Sequence, residues 1–503
     1  MTASNILLIQ TDQLVDRVLP AYGDLVCHAP HINALAERGT VFETAYCNFP
    51  LCGPSRFSMA TGQYASRVGA WDNGAEWPAE IPTYAHYMRS AGYLTCLAGK
   101  MHFVGPDQLH GFEQRLTSDI YPSDFLWSAD WAQTDFHGAT DERMVTECGP
   151  SARTVQIDYD EETTFEAVRW LYDYRQGRDQ RPFFLHVSYT HPHDPYLCHE
   201  RHWALYEDRD IPMPRVFSLP DEAHDPHSLR ILKQHGLHGL SVSHDQVRRA
   251  RRAYYGSVSF IDELVGQLVA TLAAADLMRS TVIIFTSDHG EMFGERGLWL
   301  KKMFFEPAMR IPMIVVDPSV PNGSRVRTPV SLVDILPTCL TFAGRDLCDD
   351  PEAPDVLDGT DMMSLPGGDT ERPVYSELLS EGTPAPAFMI RKGPYKYITC
   401  ELYPDMLFDL SEDPDELCNL AERPEHATRM TEFAAEARAR WDTAALSRDI
   451  RRSQRRRKLI NAALAQGDKT TWDYIPPPRD PWYRGDGDYN SWAFDHLPLR
   501  RRK

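Results

Sequence analysis

The chain has 503 residues, 42% of them hydrophobic and 25% charged, with 72 acidic against 52 basic side chains and a formal net charge of −20. That length supports a large core plus a smaller one, and the composition is that of an ordinary globular protein. The acidic excess disfavours nucleic acid as main partner, yet leaves room for a locally cationic pocket and for a substrate carrying its own positive charge.

Ten cysteines are too sparse for a disulfide scaffold, and none show CxxC or Cys/His zinc spacing. The start runs directly into Ile6-Leu7-Leu8-Ile9 without a basic, then apolar leader, and no stretch reads as long enough to span a bilayer. A cytoplasmic protein with no membrane association is expected.

Along the chain, apolar runs predict strands at Asn5–Gln10, Leu94–Ala98, Pro182–Tyr189, Thr281–Thr286 and Met313–Val316. Helical patterns fall at His31–Arg38, Thr83–Ala91, Glu161–Arg175 and Asp245–Ala274. The alternation predicts an α/β fold: a mostly parallel, mixed central sheet with helices on both faces. The turn-rich Pro366-Gly367-Gly368-Asp369 marks a break, beyond which Phe388–Arg391 and Tyr395–Cys400 predict a small antiparallel sheet. Leu407–Leu410 and a helical segment follow. Three parts are therefore expected: a large α/β domain over 1–369, a small α+β subdomain over 370–466, and an irregular tail over 467–503. The tail would lie on this or a neighbouring subunit. The basic run Arg451–Lys458 is expected to be a solvated or inter-subunit helix face, since no aromatic residues interleave it for base stacking.

Three strands lead into clusters of chemistry-bearing residues: Asp12-Gln13, His191-Pro192-His193-Asp194 and Asp288-His289. Ligands of open α/β sheets bind outside the carboxyl ends of strands, so Asp12, Gln13, Asp288 and His289 would form a metal cage. Any one pair alone suits a helix cap or a turn. Oxygen-rich ligands suit Ca²⁺ or Mg²⁺, and the histidine keeps Mn²⁺ in play. Lys100 and His102 share one face if extended. Lys100 and Lys301, taken singly, also read as solvated lysines. Cys52-Gly53-Pro54-Ser55-Arg56 precedes a helical pattern; alone, it also suits a small buried thiol.

Cys52-x-Pro54-x-Arg56 is the pattern at which sulfatases have a cysteine oxidised to formylglycine. With the other clusters, the chain resembles a type I sulfatase of the alkaline phosphatase superfamily. Trp71-Asp72-Asn73, Ile81–His86, Gly99–Glu113, Asp119–Phe125, Thr190–Tyr196 and Ser287–Trp299 narrow the resemblance to the choline sulfatases, as far as about residue 465. The resemblance implies a metal, Ca²⁺ first, held by Asp12, Gln13, Asp288 and His289, with the modified Cys52 as a further ligand. Arg56, Lys100, His102, His193 and Lys301 would complete the catalytic set, His193 rather than His191 because His193-Asp194-Pro195 fits the His-x-Pro pattern. In this family the aldehyde hydrate attacks sulfur and releases the alcohol, and its second hydroxyl then expels sulfate. Choline O-sulfate is the expected substrate, its quaternary ammonium boxed by Trp127, Asn73 and Glu381, with Glu377 as the alternative carboxylate. The alternative activity is that of a broader arylsulfatase, or of a phosphonate or phosphodiester hydrolase with the same formylglycine. A non-catalytic sulfate binder would have no need of proton-transfer residues. The implied partners are a formylglycine-generating maturation enzyme and further copies in a dimer or tetramer. The tail departs from the choline sulfatase pattern after Trp472-Asp473-Tyr474.

Overall fold

The computed structural model describes residues 4–132, 141–320, 323–345, 354–365, 367–468, 470–478 and 488. At its centre lies an eight-stranded sheet in the order Ser324–Val326, Thr40–Phe42, Met313–Val316, Thr281–Ser287, Asn5–Thr11, Phe183–Ser188, Leu94–Gly99 and Gln114–Arg115. Met313–Val316 alone among these runs antiparallel to its neighbours. Every residue of Asn5–Thr11, Leu94–Gly99, Phe183–Ser188 and Thr281–Ser287 is buried, which is why these strands read as continuous apolar runs. Pro30–Arg38, Val155–Gln176 and His244–Ala274 pack together as one helical layer, and Cys52–Thr61, Tyr84–Ser90 and Ile335–Phe342 as another. The predicted α/β class and mixed central sheet are those observed.

One sequence expectation needs correction. His244–Ala274 is long and apolar enough to cross a membrane by length and composition. Its apolarity has another cause: Tyr254, Val258, Ile261, Val265, Leu268 and Leu272 are all buried in the core. Ser243 and Gln246 form a capping box that starts it.

The second sheet is antiparallel, in the order Val374–Leu378, Ala387–Lys392, Tyr395–Cys400, Tyr403–Asp409. Lys396 ties it to the rest of the protein. Its fully buried ammonium lies 2.7 Å from Glu306 Oε1 and 2.7 Å from Glu416 Oε1, and donates to Phe304 O at 2.8 Å. Burial works against ionisation of Glu306, but Lys396 and Arg310 hold its pKa down at about 2.

The basic run sits on the helix Thr443–Leu464 and is mostly solvated, as expected, but one stripe of it is not. Gln454 and Arg457 are buried, while Arg452, Arg455 and Arg456 are exposed; the i, i+3 spacing puts the buried pair on one stripe. Within the described tail, Trp472-Asp473-Tyr474 packs on its own chain: Ser123 donates from N and Oγ to Asp473 Oδ1, both at 2.9 Å.

Lys396→Met leaves Glu416 without its cation and Glu306 with Arg310 alone. Loss of one partner from such a buried cluster costs about 3–5 kcal/mol, so the urea midpoint should fall by that equivalent at pH 8. The fall should be smaller at pH 5, where the stranded carboxyls take up protons. An unchanged midpoint at both pH values would remove Lys396 from this role.

Candidate active site

The site forms where four strands end together. Ladder register sets Thr11 beside Ser287, Gln10 beside Ser188, and Gly99 beside Ser188. One further backbone bond each carries the pairing past the strands: Asp288 N to Thr11 O at 3.2 Å, Asp12 N to His191 O at 3.3 Å, and Lys100 N to Ser188 O at 3.0 Å. Gly99 adopts φ +99°, and a Cβ there would stand 1.9 Å from Ser188 O, so only glycine lets Lys100 leave the strand at this point.

Cys52 opens the helix Cys52–Thr61, whose residues are all buried. Ser55 N donates to Leu51 O at 3.0 Å, beginning the helical ladder, and Pro54 sits in the first turn, where a missing N–H costs nothing. Asn73 Oδ1 accepts from Gly53 N at 2.9 Å and so acts as a cap from outside the helix. A helix N-terminus favours negative charge beside residue 52.

Arg56 lies one turn on and is wholly buried. Its Nε donates to Asp288 Oδ2 at 2.9 Å and its Nη2 to Asp12 Oδ2 at 3.0 Å; Nη1 donates to Ser188 Oγ at 2.6 Å and Lys100 O at 2.8 Å. Lys100 Nζ meets the same Asp12 Oδ2 at 2.5 Å. Burial disfavours a charged Asp12, yet Lys100, His193 and Arg56 hold its carboxyl well below the usual range. Burial likewise opposes the charge on Lys100, and Asp12 outweighs it and raises the pKa. These buried lysines exclude the solvated reading: Lys100 is 0% exposed and Lys301 5%.

Oδ2 of both aspartates faces Arg56, and Oδ1 of both lies toward His289. His289 Nδ1 donates to Gly290 O at 2.9 Å, which leaves Nε2 as the free acceptor. That Nε2 lies 3.8 Å from Asp12 Oδ1, 3.6 Å from Asp288 Oδ1 and 3.2 Å from Cys52 Sγ. Asp12, Cys52, Asp288 and His289 offer ligand atoms all within 4.8 Å of one another. Two carboxylate oxygens, an imidazole nitrogen and the atom at residue 52 suit a divalent cation. Gln13 adjoins them with φ 68°; its N donates to Asp288 Oδ1 at 3.0 Å, and its Oε1 accepts from Lys301 Nζ.

Lys301 Nζ also reaches His193 Nε2 at 2.6 Å, while His193 Nδ1 donates to Asp194 O at 2.7 Å. Burial opposes the charge on Lys301, but Cys52, Asp194 and Asp12 raise its pKa. His102 Nε2 donates to Asn73 O at 3.0 Å, and its Nδ1 is buried without a partner. Burial, then Lys100, push His102 down to about 3, so it is neutral at physiological pH. His191 is held elsewhere, Nδ1 at 2.7 Å from Asp160 Oδ2.

Above Cys52 opens a cavity of about 670 Å³, lined among others by Asn73, Tyr121, Trp127, His193, Lys301 and Glu381. The Tyr121 and Trp127 rings lie 4.6 Å apart, and Lys100 Nζ is 4.2 Å from the Tyr121 centroid. Glu381 pairs with Lys302 at 2.9 Å and accepts from Asn73 N at 3.4 Å. Glu377 is outside this cavity, bonded instead to Ser66 and Trp441.

Sequence reasoning gave Glu291 and Tyr121 no role of their own, although it singled out Asp194 within the His191–Asp194 cluster. Glu291 accepts from Leu300 N at 2.6 Å and Phe293 N at 2.8 Å and holds the Gln13 amide; burial pushes its pKa up to about 6. Its signal was its place directly after Asp288-His289-Gly290.

This fold and this cluster define a hydrolase site for tetrahedral anions, and the comparisons are specific. The sulfatase family profile matches residues 4–345, so the chain belongs to the sulfatase family and is a sulfatase enzyme. The profile described as N-sulphoglucosamine sulphohydrolase, C-terminal, matches 294–440, and that described as choline sulfatase enzyme C terminal matches 448–481. The chain is 42% identical to the choline-sulfatase of Rhizobium meliloti (strain 1021), covering 94% of this chain and 93% of that protein. It is 28% identical to arylsulfatase K of Rattus norvegicus over 82% of this chain and 74% of that one. A phosphonate monoester hydrolase from Silicibacter pomeroyi shares the fold, with TM-score 0.70 and 24% identity over 87% of this chain and 95% of the other. The match over 448–481 corrects the expected departure of the tail as far as residue 481, since it takes in Trp472-Asp473-Tyr474 and the prolines that follow.

A cation bound by this cluster stabilises the folded state. Ca²⁺, Mg²⁺ or Mn²⁺ at a hundred times its dissociation constant should contribute about 2.7 kcal/mol, read as a higher unfolding temperature that a chelator reverses. Asp12→Asn should abolish the rise; an equal rise in that variant would place the ion elsewhere.

Proposed function

We propose that this protein hydrolyses a small alcohol sulfate ester, choline O-sulfate first, using residue 52 as formylglycine and a divalent cation, Ca²⁺ in preference to Mn²⁺ or Mg²⁺. The observation that carries this is Cys52 Sγ beside the Asp12, Asp288 and His289 ligand atoms, with the buried cations Arg56, Lys100 and Lys301 around them. In the proposed active form, an oxygen of the aldehyde hydrate stands where Sγ stands. When bound, the cation would polarise a sulfate oxygen and lower the pKa of the attacking hydroxyl.

The chain's own groups do the rest. Lys100 and Lys301, both buried, would neutralise the charge already spread over the sulfate oxygens, at positions where such contacts are strong. Lys301 Nζ lies 2.6 Å from His193 Nε2, which places the pair to deliver a proton to the departing alcohol oxygen. His102, neutral and beside Gly53 at the start of the helix that carries residue 52, is the candidate to accept the proton from the second hydroxyl as sulfate is expelled.

For the alcohol, Tyr121 and Trp127 present aromatic surface to a quaternary ammonium. Glu381 is already paired with Lys302, so the rings carry more of that recognition than the carboxylate does. The relative named choline-sulfatase supports this choice. An arylsulfatase or phosphonate hydrolase is the second reading, favoured by a cavity with room for a larger group. The chemistry would be confined to 1–369, with Glu381 contributed by the subdomain 370–466. No disulfide joins the nine described cysteines, which supports a reducing, cytoplasmic setting. The reading also includes a maturation enzyme for Cys52 and assembly as a dimer or tetramer.

Choline O-sulfate, an aryl sulfate and an aryl phosphonate should be compared by kcat/KM on one preparation whose Cys52 peptide shows a carbonyl by mass spectrometry. Choline O-sulfate should lead; if it is poorest, the substrate assignment is wrong. Cys52→Ala should lose turnover by a factor on the order of 10⁴–10⁶, whereas a mere binder would be indifferent.

A further inference from the structure

Asn73, Trp127 and Glu381 come from distant parts of the chain, yet their neighbours in sequence meet at one buried ion pair. Asp72 is 2% exposed and Arg457 4%. Arg457 Nη1 and Nη2 reach Asp72 Oδ1 and Oδ2 at 2.5 and 2.9 Å, a two-pronged contact. The same Nη1 donates to Ser128 Oγ at 3.0 Å, and Ser380 Oγ donates to Asp72 Oδ2 at 2.9 Å. Residues 72, 128 and 380 thus share one node, and 73, 127 and 381 are the residues beside them that line the cavity. Gly74 tightens it: a Cβ there would lie 2.3 Å from Ser128 N, so the two backbones are in direct contact. One turn before Arg457, Gln454 Nε2 donates to Ser380 Oγ at 2.9 Å, and its Oε1 accepts from Trp131 N at 3.2 Å.

Neither Arg457 nor Asp72 lines the cavity, and neither belongs to the cluster around Cys52. Stability alone does not call for the pair either, because an apolar pair of similar volume commonly serves a folded protein as well or better. What the pair supplies is direction: two flat groups locked in one geometry, with two further segments hydrogen-bonded to them.

We propose that the Asp72–Arg457 pair is a positioning device that sets three walls of the substrate cavity relative to residue 52, making the helix Thr443–Leu464 a determinant of substrate selectivity. This rests on the reading of the cavity as a site for a small cationic sulfate ester. Arg457 and Asp72 are positioning residues; neither touches the reacting atoms.

The test uses the full-length enzyme with Cys52 converted, in four forms: wild type, Arg457→Met, Arg457→Lys, and Asp72→Asn combined with Arg457→Met. Arg457→Met strands a buried carboxylate and should lower the unfolding temperature. The double variant leaves no buried charge unpaired and should recover most of it. KM for choline O-sulfate should nevertheless stay raised about 10-fold or more in both, since a misplacement of 1 Å can cost up to about 100-fold. KM for 4-nitrophenyl sulfate should move less than about 3-fold. Arg457→Lys keeps the charge but not the fork, and should fall between. Recovery of KM together with the unfolding temperature in the double variant would overturn the proposal. So would a parallel rise of KM for both esters. If wild type does not turn over choline O-sulfate, the substrate reading falls by itself. The pair is then judged on the kcat/KM ratio between the enzyme's two best substrates, which must change in the double variant for the proposal to stand.

Discussion

Asp12 and Asp288 end neighbouring parallel strands, and their carboxylates face one another where no solvent reaches. Two like charges so placed repel strongly in a low-dielectric interior unless a positive group lies between them. Arg56 is that group. It takes one oxygen from each aspartate, and the other of each lies toward His289. Because Arg56 is four residues after Cys52 on one helix, the contacts that neutralise the aspartates also bind the start of that helix to the sheet edge. Charge balance and the placement of residue 52 are therefore a single arrangement. Moving the helix, the strand register or either carboxylate would disturb all three.

The central strands were legible because burial on both faces demands unbroken apolar runs, and such runs stand out. Thr40–Phe42, Gln114–Arg115 and Ser324–Val326 were not, being too short to carry a pattern. The reversal of Met313–Val316 has no compositional trace either. It follows from how the chain returns to the sheet after residues 288–312, which is a matter of connection rather than propensity. The helix predicted from Glu161 begins at Val155, because Thr154 caps it by accepting from Ile157 N and its first turns are polar.

The site divides in the same way. Asp12, Asp288, His289 and Lys100 each follow a strand directly, so their convergence could be read from local pattern and one rule of α/β sheets. Cys52 and Arg56 sit in one short motif. The walls of the cavity offered less. Arg457 looked like one more residue in a basic run, and its partner lies 385 positions away. Local sequence marks chemistry that sits on a strand end; it does not mark a wall assembled from three loops and a distal helix.

The acidic character of the chain bears on selectivity through the same division. At physiological ionic strength, surface charge acts over about 8 Å, so the net charge of −20 would disfavour an approaching anion only through acidic groups within that distance of it. A zwitterionic ester carries no net charge and avoids that penalty. On the proposed reading its ends would separate in the cavity, the sulfate toward the buried cations and the ammonium toward the Tyr121 and Trp127 rings. A simple aryl sulfate gains the first contact but brings nothing cationic for the second. The proposed preference for a cationic alcohol would rest on fixed positive charge placed deep and aromatic surface above it.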